Sequence, residues 1–238
     1  MIFPCIDLMG GKVVQLVQGR VKALEGDSPE TMLEKFAAFP QIQVIDLDAA
    51  MDRGSNDGLV RMLASKATIR AGGGVRTVER AQAVLTQGAH RVIVGTAAFN
   101  SDGVDHEFLE SLVAVVDRQR IILALDSQHG RIVIKGWSES TELAAEDVIG
   151  QLASYCSGFL CTYVDKEGMM QGTDLDWFRR LRACTDREVT AAGGITSLAD
   201  IEALDAMQIH AAIGMAIYTG HLDLPGLAEL AGRTFSQS

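Results

Sequence analysis

The chain has 238 residues, 47% of them hydrophobic and 22% charged, with a formal net charge of −10. A chain of this length buries most of its apolar surface without a disulfide or metal staple, and no apolar run reaches the ~18 residues of a membrane span. Lysine and arginine are scattered and aromatic residues make up only 5%, which excludes the basic face of a nucleic-acid binder.

The start, MIFPCIDL, lacks a basic n-region and a cleavage site, so a cytoplasmic protein is expected. Cys5, Cys156, Cys161 and Cys184 form no CxxC pair and suit no zinc site. Buried free thiols in a reducing compartment are expected of them.

In chain order, short apolar runs predict strands at Ile2–Ile6, Val44–Leu47, Thr68–Ala71, Arg91–Val94, Ile121–Leu125, Phe159–Val164, Val189–Ala191 and Ala211–Ile213. Stretches of helical period lie between them, among them Thr77–Leu85, Asp105–Val116, Asp174–Arg182 and Ser197–Leu204. Thr77, Asp174 and Ser197 are suitable N-caps. Near-continuous apolar strands alternating with amphipathic helices predict a parallel sheet covered by helices. Eight such units without a linker predict one α/β domain, a (βα)8 TIM barrel. Gly11–Val17 and Gly130–Lys135 read as extra hairpin strands after strands one and five.

An internal repeat supports the barrel. An offset of 119 residues aligns Phe3-Pro4-Cys5-Ile6-Asp7 with Ile122-Leu123-Ala124-Leu125-Asp126, and Gly11-Lys12-Val13-Val14 with Gly130-Arg131-Ile132-Val133. Gly73-Gly74-Val75 returns as Gly193-Gly194-Ile195 and Gly95 as Gly214. The chain is therefore expected to be a doubled (βα)4 unit, with half-barrels of about 1–119 and 120–238.

Barrel enzymes act at the carboxyl ends of their strands. The repeat puts Asp7 and Asp126 there, on strands across the barrel from each other. Two carboxyls in different surroundings can hold different pKa values, one serving as acid and the other as base. Either aspartate alone could merely cap a loop. The glycines form a second doubled constellation: Gly73 and Gly74 with Gly95 and Thr96, then Gly193 and Gly194 with Gly214 and Met215. Glycine lets the backbone approach an anion and aim N–H groups at it. Two such grips around one mouth predict an elongated small-molecule substrate with a phosphate at each end. Neither GxxxxGK[ST] nor GxGxxG occurs. His90, His106, His129, His210 and His221 form no HxxxH or HExxH pair, so no metal or organic cofactor is expected. Only His129, close after Asp126, stands near the chemistry.

Pro4-Cys5-Ile6-Asp7-Leu8, Gly10-Gly11-Lys12-Val13-Val14, Val44-Ile45-Asp46-Leu47-Asp48-Ala49-Ala50, Gly72-Gly73-Gly74-Val75-Arg76, Lys135-Gly136-Trp137 and Ala191-Ala192-Gly193-Gly194-Ile195 together resemble the ProFAR isomerase family of histidine biosynthesis. The resemblance runs to about residue 220. It implies a two-fold repeated (βα)8 barrel that uses no cofactor and performs an Amadori rearrangement of an aminoaldose to an aminoketose. It implies Asp7 as general base, Asp126 as its acid partner and Thr162 as a residue orienting the reacting ribose. It also implies Arg20 and Arg76 as substrate or phosphate ligands, and Trp137 as a stacking residue on a covering loop.

Several positions depart from the family pattern. Glu167-Gly168-Met169 stands where Asp-Gly-Thr is usual, so the acid is either Asp126 or Glu167, with Gly168 a binding position. Gln15 replaces a common arginine, and Ser127-Gln128-His129 replaces an arginine- and glycine-rich run. Phosphoribosylanthranilate isomerase, or an enzyme performing both isomerisations, is the alternative on the same frame. A phosphosugar-binding protein without catalysis is the alternative of another class, and both Asp7 and Asp126 speak against it. A monomer is the default expectation.

Overall fold

The computed structural model describes residues 1–19 and 21–235, with residues 232–235 described by backbone only. Arg20 lies outside the described residues. Among the described residues, eight parallel strands close into a barrel: β1 (Ile2–Met9), β2 (Ile42–Asp46), β3 (Ile69–Gly72), β4 (Arg91–Val94), β5 (Ile121–Gln128), β6 (Gly158–Tyr163), β7 (Glu188–Ala192) and β8 (His210–Ile213). Each strand pairs with the next in sequence; β8 returns to β1, with Ile2 opposite Ala211, and β4 meets β5, with Val92 opposite Ile121.

Helices cover the outside: α1 (Pro29–Lys35), α2 (Asp57–Ala64), α3 (Val78–Thr86), α4 (His106–Val113), α5 (Ala145–Leu152), α6 (Leu175–Ala183), α7 (Leu198–Ala206) and α8 (Leu224–Phe235). Every residue of β3 and β4 is buried, because one face fills the barrel and the other meets helices. The three expected N-caps are made. Thr77 accepts the Arg80 N–H, Asp174 accepts the Trp177 N–H, and Ser197 forms a capping box with Asp200.

The strand ends differ from the sequence expectation for a local reason. β1 and β5 continue past Ile6 and Leu125 through the aspartates to Met9 and Gln128. There each finds an antiparallel partner, Lys12–Val17 and Arg131–Ile134 respectively. The apolar run stops at the aspartate, but the ladder does not. Leu47, expected in a strand, instead opens a short helix, Leu47–Ala50, that Asp46 caps through the Ala49 N–H. α4 stops at Val113, short of the expected Val116, and leaves Val115 exposed. Of the four cysteines, Cys5, Cys156 and Cys161 are buried; Cys184 is exposed, contrary to expectation, because it is the C-cap of α6.

Inside the barrel, Cys5, Ile93, Ile122, Ala124, Leu160 and Ala212 form a dry layer. Below it, at the amino ends of the strands, lies a charged floor. Arg70 is fully buried, its guanidinium 3.5 Å above the Phe3 ring, and it donates to Thr190 at 3.0 Å. Glu188 lies 3.6 Å from Arg70 and 2.9 Å from Arg91. Burial pulls Arg70 down to about 9, which leaves it charged at neutral pH, and the cation–π contact and Glu188 offset part of its desolvation. This floor closes one end of the barrel, so the opposite end is the open one.

The glycine loops after β3 and β7 are built alike. Gly73 has φ 102° and Gly193 φ 91°; Gly74 has φ 64° and Gly194 φ 77°. A side chain on Gly73 would overlap the Asp46 carbonyl at the end of β2, and one on Gly193 the Tyr163 carbonyl at the end of β6. Each loop therefore needs glycine twice over, for its left-handed backbone and for close approach to the neighbouring strand. Gly73→Ala is expected to lose about 3 kcal/mol or more in urea unfolding. Gly11→Ala, at a left-handed position (φ 75°) with open space around it, is expected to lose only about 1 kcal/mol. Equal losses would contradict the close-approach explanation.

Candidate active site

The open end of the barrel holds a cavity of about 250 Å³, and Asp7, Asp126, Thr162 and Glu167 all line it. β1 and β5 deliver the two aspartates from opposite sides. Register places Thr162 of β6 directly beside Asp126, and its polar side chain favours the ionised Asp126 carboxyl. Glu167 follows a single 3-10 turn, Val164–Lys166, after β6. Its neighbour Gly168, at φ 68°, lies so close to the hairpin strand Lys12–Val17 that a side chain would sit 2.7 Å from the Leu16 carbonyl oxygen. The Gln18 N–H donates to the Glu167 carbonyl at 3.1 Å. These two contacts fix the loop that presents the Glu167 carboxyl.

Burial dominates the electrostatics of the three acids. It raises Asp7 to about 7. Glu167 goes to about 8, first from burial and then from the charges of Asp7 and Asp126. Asp126 is also raised by burial, against the opposing hydrogen bonds of Thr162 and Trp137. Desolvation disfavours each anion and a second carboxylate disfavours it further. The cavity thus holds proton donors and acceptors poised near neutrality, as acid–base work requires.

The Trp137 indole N–H donates to Asp126 at 2.8 Å. Its ring rests on Gly19, where a side chain would lie 2.7 Å from the indole carbon Cε3. The loop after β5 thus bends over the mouth and meets the hairpin of β1, as a covering loop must. The same loop ties to the segment after β4, because the Lys135 N–H donates to the Thr96 hydroxyl at 2.8 Å.

Gly73, Gly74, Gly95 and Thr96 line one part of the cavity wall and Gly193, Gly194, Gly214 and Met215 another. Gly95 (φ −111°, ψ −99°) and Gly214 (φ −107°, ψ −99°) share almost one backbone conformation. Arg76 also lines the cavity, but its guanidinium is engaged with the Ala49 and Ala50 carbonyls and with Asp52. It braces the loop after β2. His129 does not join the site: it stands at the exposed hairpin turn, and both its N–H and its ring bind Asp165. Two contacts were not legible in the residue pattern: the bond from Gln15 to Asp7 at 3.4 Å and that from Trp137 to Asp126. Each joins residues from separate segments of a loop or hairpin, and only the departure of Gln15 from a usual arginine marked its position. Among the described residues, no group of three or more His, Cys, Asp or Glu is arranged to hold a metal ion, and no helix is long and apolar enough to cross a membrane.

A family model described as "Histidine biosynthesis protein" matches residues 1–223. The chain belongs to this family. A relative from Methanocaldococcus jannaschii is 34% identical, over 96% of this chain and 98% of its own length. One from Gemmatimonas aurantiaca is 36% identical with the same two coverages. A third, from Natronomonas pharaonis, is 35% identical over 96% of this chain and 97% of its own length. All three carry the name 1-(5-phosphoribosyl)-5-((5-phosphoribosylamino)methylideneamino)imidazole-4-carboxamide isomerase.

The raised carboxyls make stability depend on pH with a definite sign. Asp7 and Glu167 titrate near 7 and 8 when folded but at their ordinary 3.8 and 4.5 when unfolded. The folded protein therefore binds more protons in between, and their contribution is full below about pH 4 and lost as pH rises through 7 to 8. Glu167→Gln removes one of these groups. Relative to the parent, it is expected to gain at least about 2 °C in melting temperature at pH 9 over its difference at pH 5. A pH-independent difference between the two proteins would refute the burial assignment.

Proposed function

We propose that this chain catalyses the reaction for which its relatives are named, an aminoaldose-to-aminoketose isomerisation in histidine biosynthesis, by general acid–base catalysis. One observation carries the reading: Asp7 and Asp126 stand on β1 and β5 across a single cavity walled by two like-built glycine loops. The relatives' name describes a molecule with two phosphoribosyl groups. An elongated molecule ending in two phosphates fits two grips, Gly73, Gly74, Gly95 and Thr96 on one side and Gly193, Gly194, Gly214 and Met215 on the other. Backbone N–H groups in glycine loops hold phosphate without a basic surface, so a net charge of −10 is no obstacle.

In this mechanism Asp126 protonates the ring oxygen of the reacting ribose, and the furanose opens to a Schiff base. Asp7 then takes the proton from C2′, and the resulting enolamine relaxes to the ketone. Thr162 orients Asp126 and the ribose, and Trp137 covers the opened sugar. Each positioned proton transfer contributes roughly 10²–10⁴-fold in rate. A second assignment gives the acid role to Glu167, because its pKa near 8 keeps it protonated at neutral pH. The alkaline limb of the rate profile separates the two. It disappears in Asp126→Asn if Asp126 is the acid, and in Glu167→Gln if Glu167 is.

We also propose a cytoplasmic enzyme, with a monomer as the default state. We also infer that residues of about 1–119 and 120–238 are two copies of one (βα)4 half within a single domain. The sequence offset and the matched dihedral angles of Gly73 with Gly193 and Gly95 with Gly214 support this.

The purified protein is expected to convert the relatives' substrate. Asp7→Asn should lower turnover by at least about 10²-fold while leaving substrate binding within about tenfold. Normal turnover in that variant would remove Asp7 as the base. Phosphoribosylanthranilate assayed alongside decides the alternative: activity on it alone would replace the first substrate, and tight binding of either without turnover would make the protein a phosphosugar binder.

A further inference from the structure

Gln15 is 2% exposed, and its side-chain amide sits between the candidate base and a glycine of the opposite half. Its Nε2 donates to the Val14 carbonyl at 2.9 Å and to Asp7 Oδ2 at 3.4 Å. Its Oε1 faces Gly214, where a side chain would come within 2.5 Å of that oxygen. The strand carrying Gln15 pairs antiparallel with β1, Val14 lying opposite Asp7, and its register against the next strand, Val21–Glu25, shifts between Gln15 and Leu16. A β-bulge of this kind re-aims a side chain. Val13, Val14, Gln15 and Leu16 are buried in succession, so this strand is covered on both faces and the amide is locked in place.

We propose that Gln15 is a positioning residue for Asp7, an uncharged donor that fixes one carboxylate oxygen without neutralising the carboxylate. The proposal rests on the reading of Asp7 as the base. Asp7 faces Cys5 on its own strand, Glu167 from the loop after β6, and Tyr218 from the short helix Met215–Tyr218 after β8. Ile45, paired with Asp7 on β2, and Val14 and Gln15 on the hairpin strand bring no charge. Burial is therefore what raises Asp7 to about 7. A cation at position 15 would lower it and produce a weaker base, because an opposite charge within about 4–6 Å depresses a carboxyl pKa by about 1–3 units. An amide orients the base and, as a neutral donor, lowers its basicity less than a cation would.

The test compares Gln15→Met, which keeps the volume without the donor, with Gln15→Arg. In Gln15→Met, kcat falls about tenfold with KM within about threefold, and the acidic limb of kcat/KM moves to higher pH. In Gln15→Arg, that limb moves to lower pH by at least about one unit. Carboxyl carbon NMR of the free protein, with the Asp7 signal identified by its loss in Asp7→Asn, reports the same two shifts without substrate. Gln15→Arg alone decides the matter if the methionine variant does not fold. An Asp7 titration that moves in neither variant overturns the proposal. Absence of turnover in the parent protein overturns the isomerase reading instead, and the NMR titration still decides what Gln15 does to Asp7.

Discussion

Three half-buried carboxyl groups share one cavity at the open end of the barrel, and this arrangement disfavours their ionisation. Burial raises Asp7, Asp126 and Glu167 together, and Glu167 also feels the other two. Such a site persists only where surrounding structure holds it in place. The barrel does so from below, through a dry layer of small and branched side chains between Cys5 and Ala212 and a floor closed by Arg70, Phe3 and Glu188. It does so from above through loops that bind one another: Gln18 to Glu167, Lys135 to Thr96 and Trp137 to Asp126.

The two glycine loops answer a different requirement. An acidic chain has little spare positive charge for phosphate, and Arg76, the cation nearest one loop, is spent on the Ala49 and Ala50 carbonyls and Asp52. Backbone amides remain, and they approach a ligand closely only where no side chain intervenes. Gly73 and Gly193 also let each loop lie against the end of the neighbouring strand, at Asp46 and Tyr163. In the proposed reading, close packing and anion access thus draw on the same residues.

Much of the fold was legible in the residues because it rests on local periodicity. The apolar runs located all eight strands, and Thr77, Asp174 and Ser197 were identifiable as caps because capping depends on a side chain and the N–H three residues on. Errors fell at the ends of elements, where the next segment of chain decided the outcome. β1 and β5 outran their apolar segments because hairpin strands extended the ladder, and Cys184 was left exposed by its place at a helix end.

By itself the sequence determined the barrel, the placing of Asp7 and Asp126 on its first and fifth strands toward the open end, and the paired glycine loops. Strand periodicity and left-handed turns follow from residue types a few positions apart, so these features need no knowledge of distant contacts. Only the tertiary structure decided what those residues meet. It took His129 out of the site and engaged Arg76 with backbone carbonyls. It brought the Trp137 indole to Asp126 and put an uncharged amide, Gln15, on Asp7. It also set the proton affinities of the three acids, because desolvation depends on everything that surrounds a carboxyl and not on its neighbours in the chain.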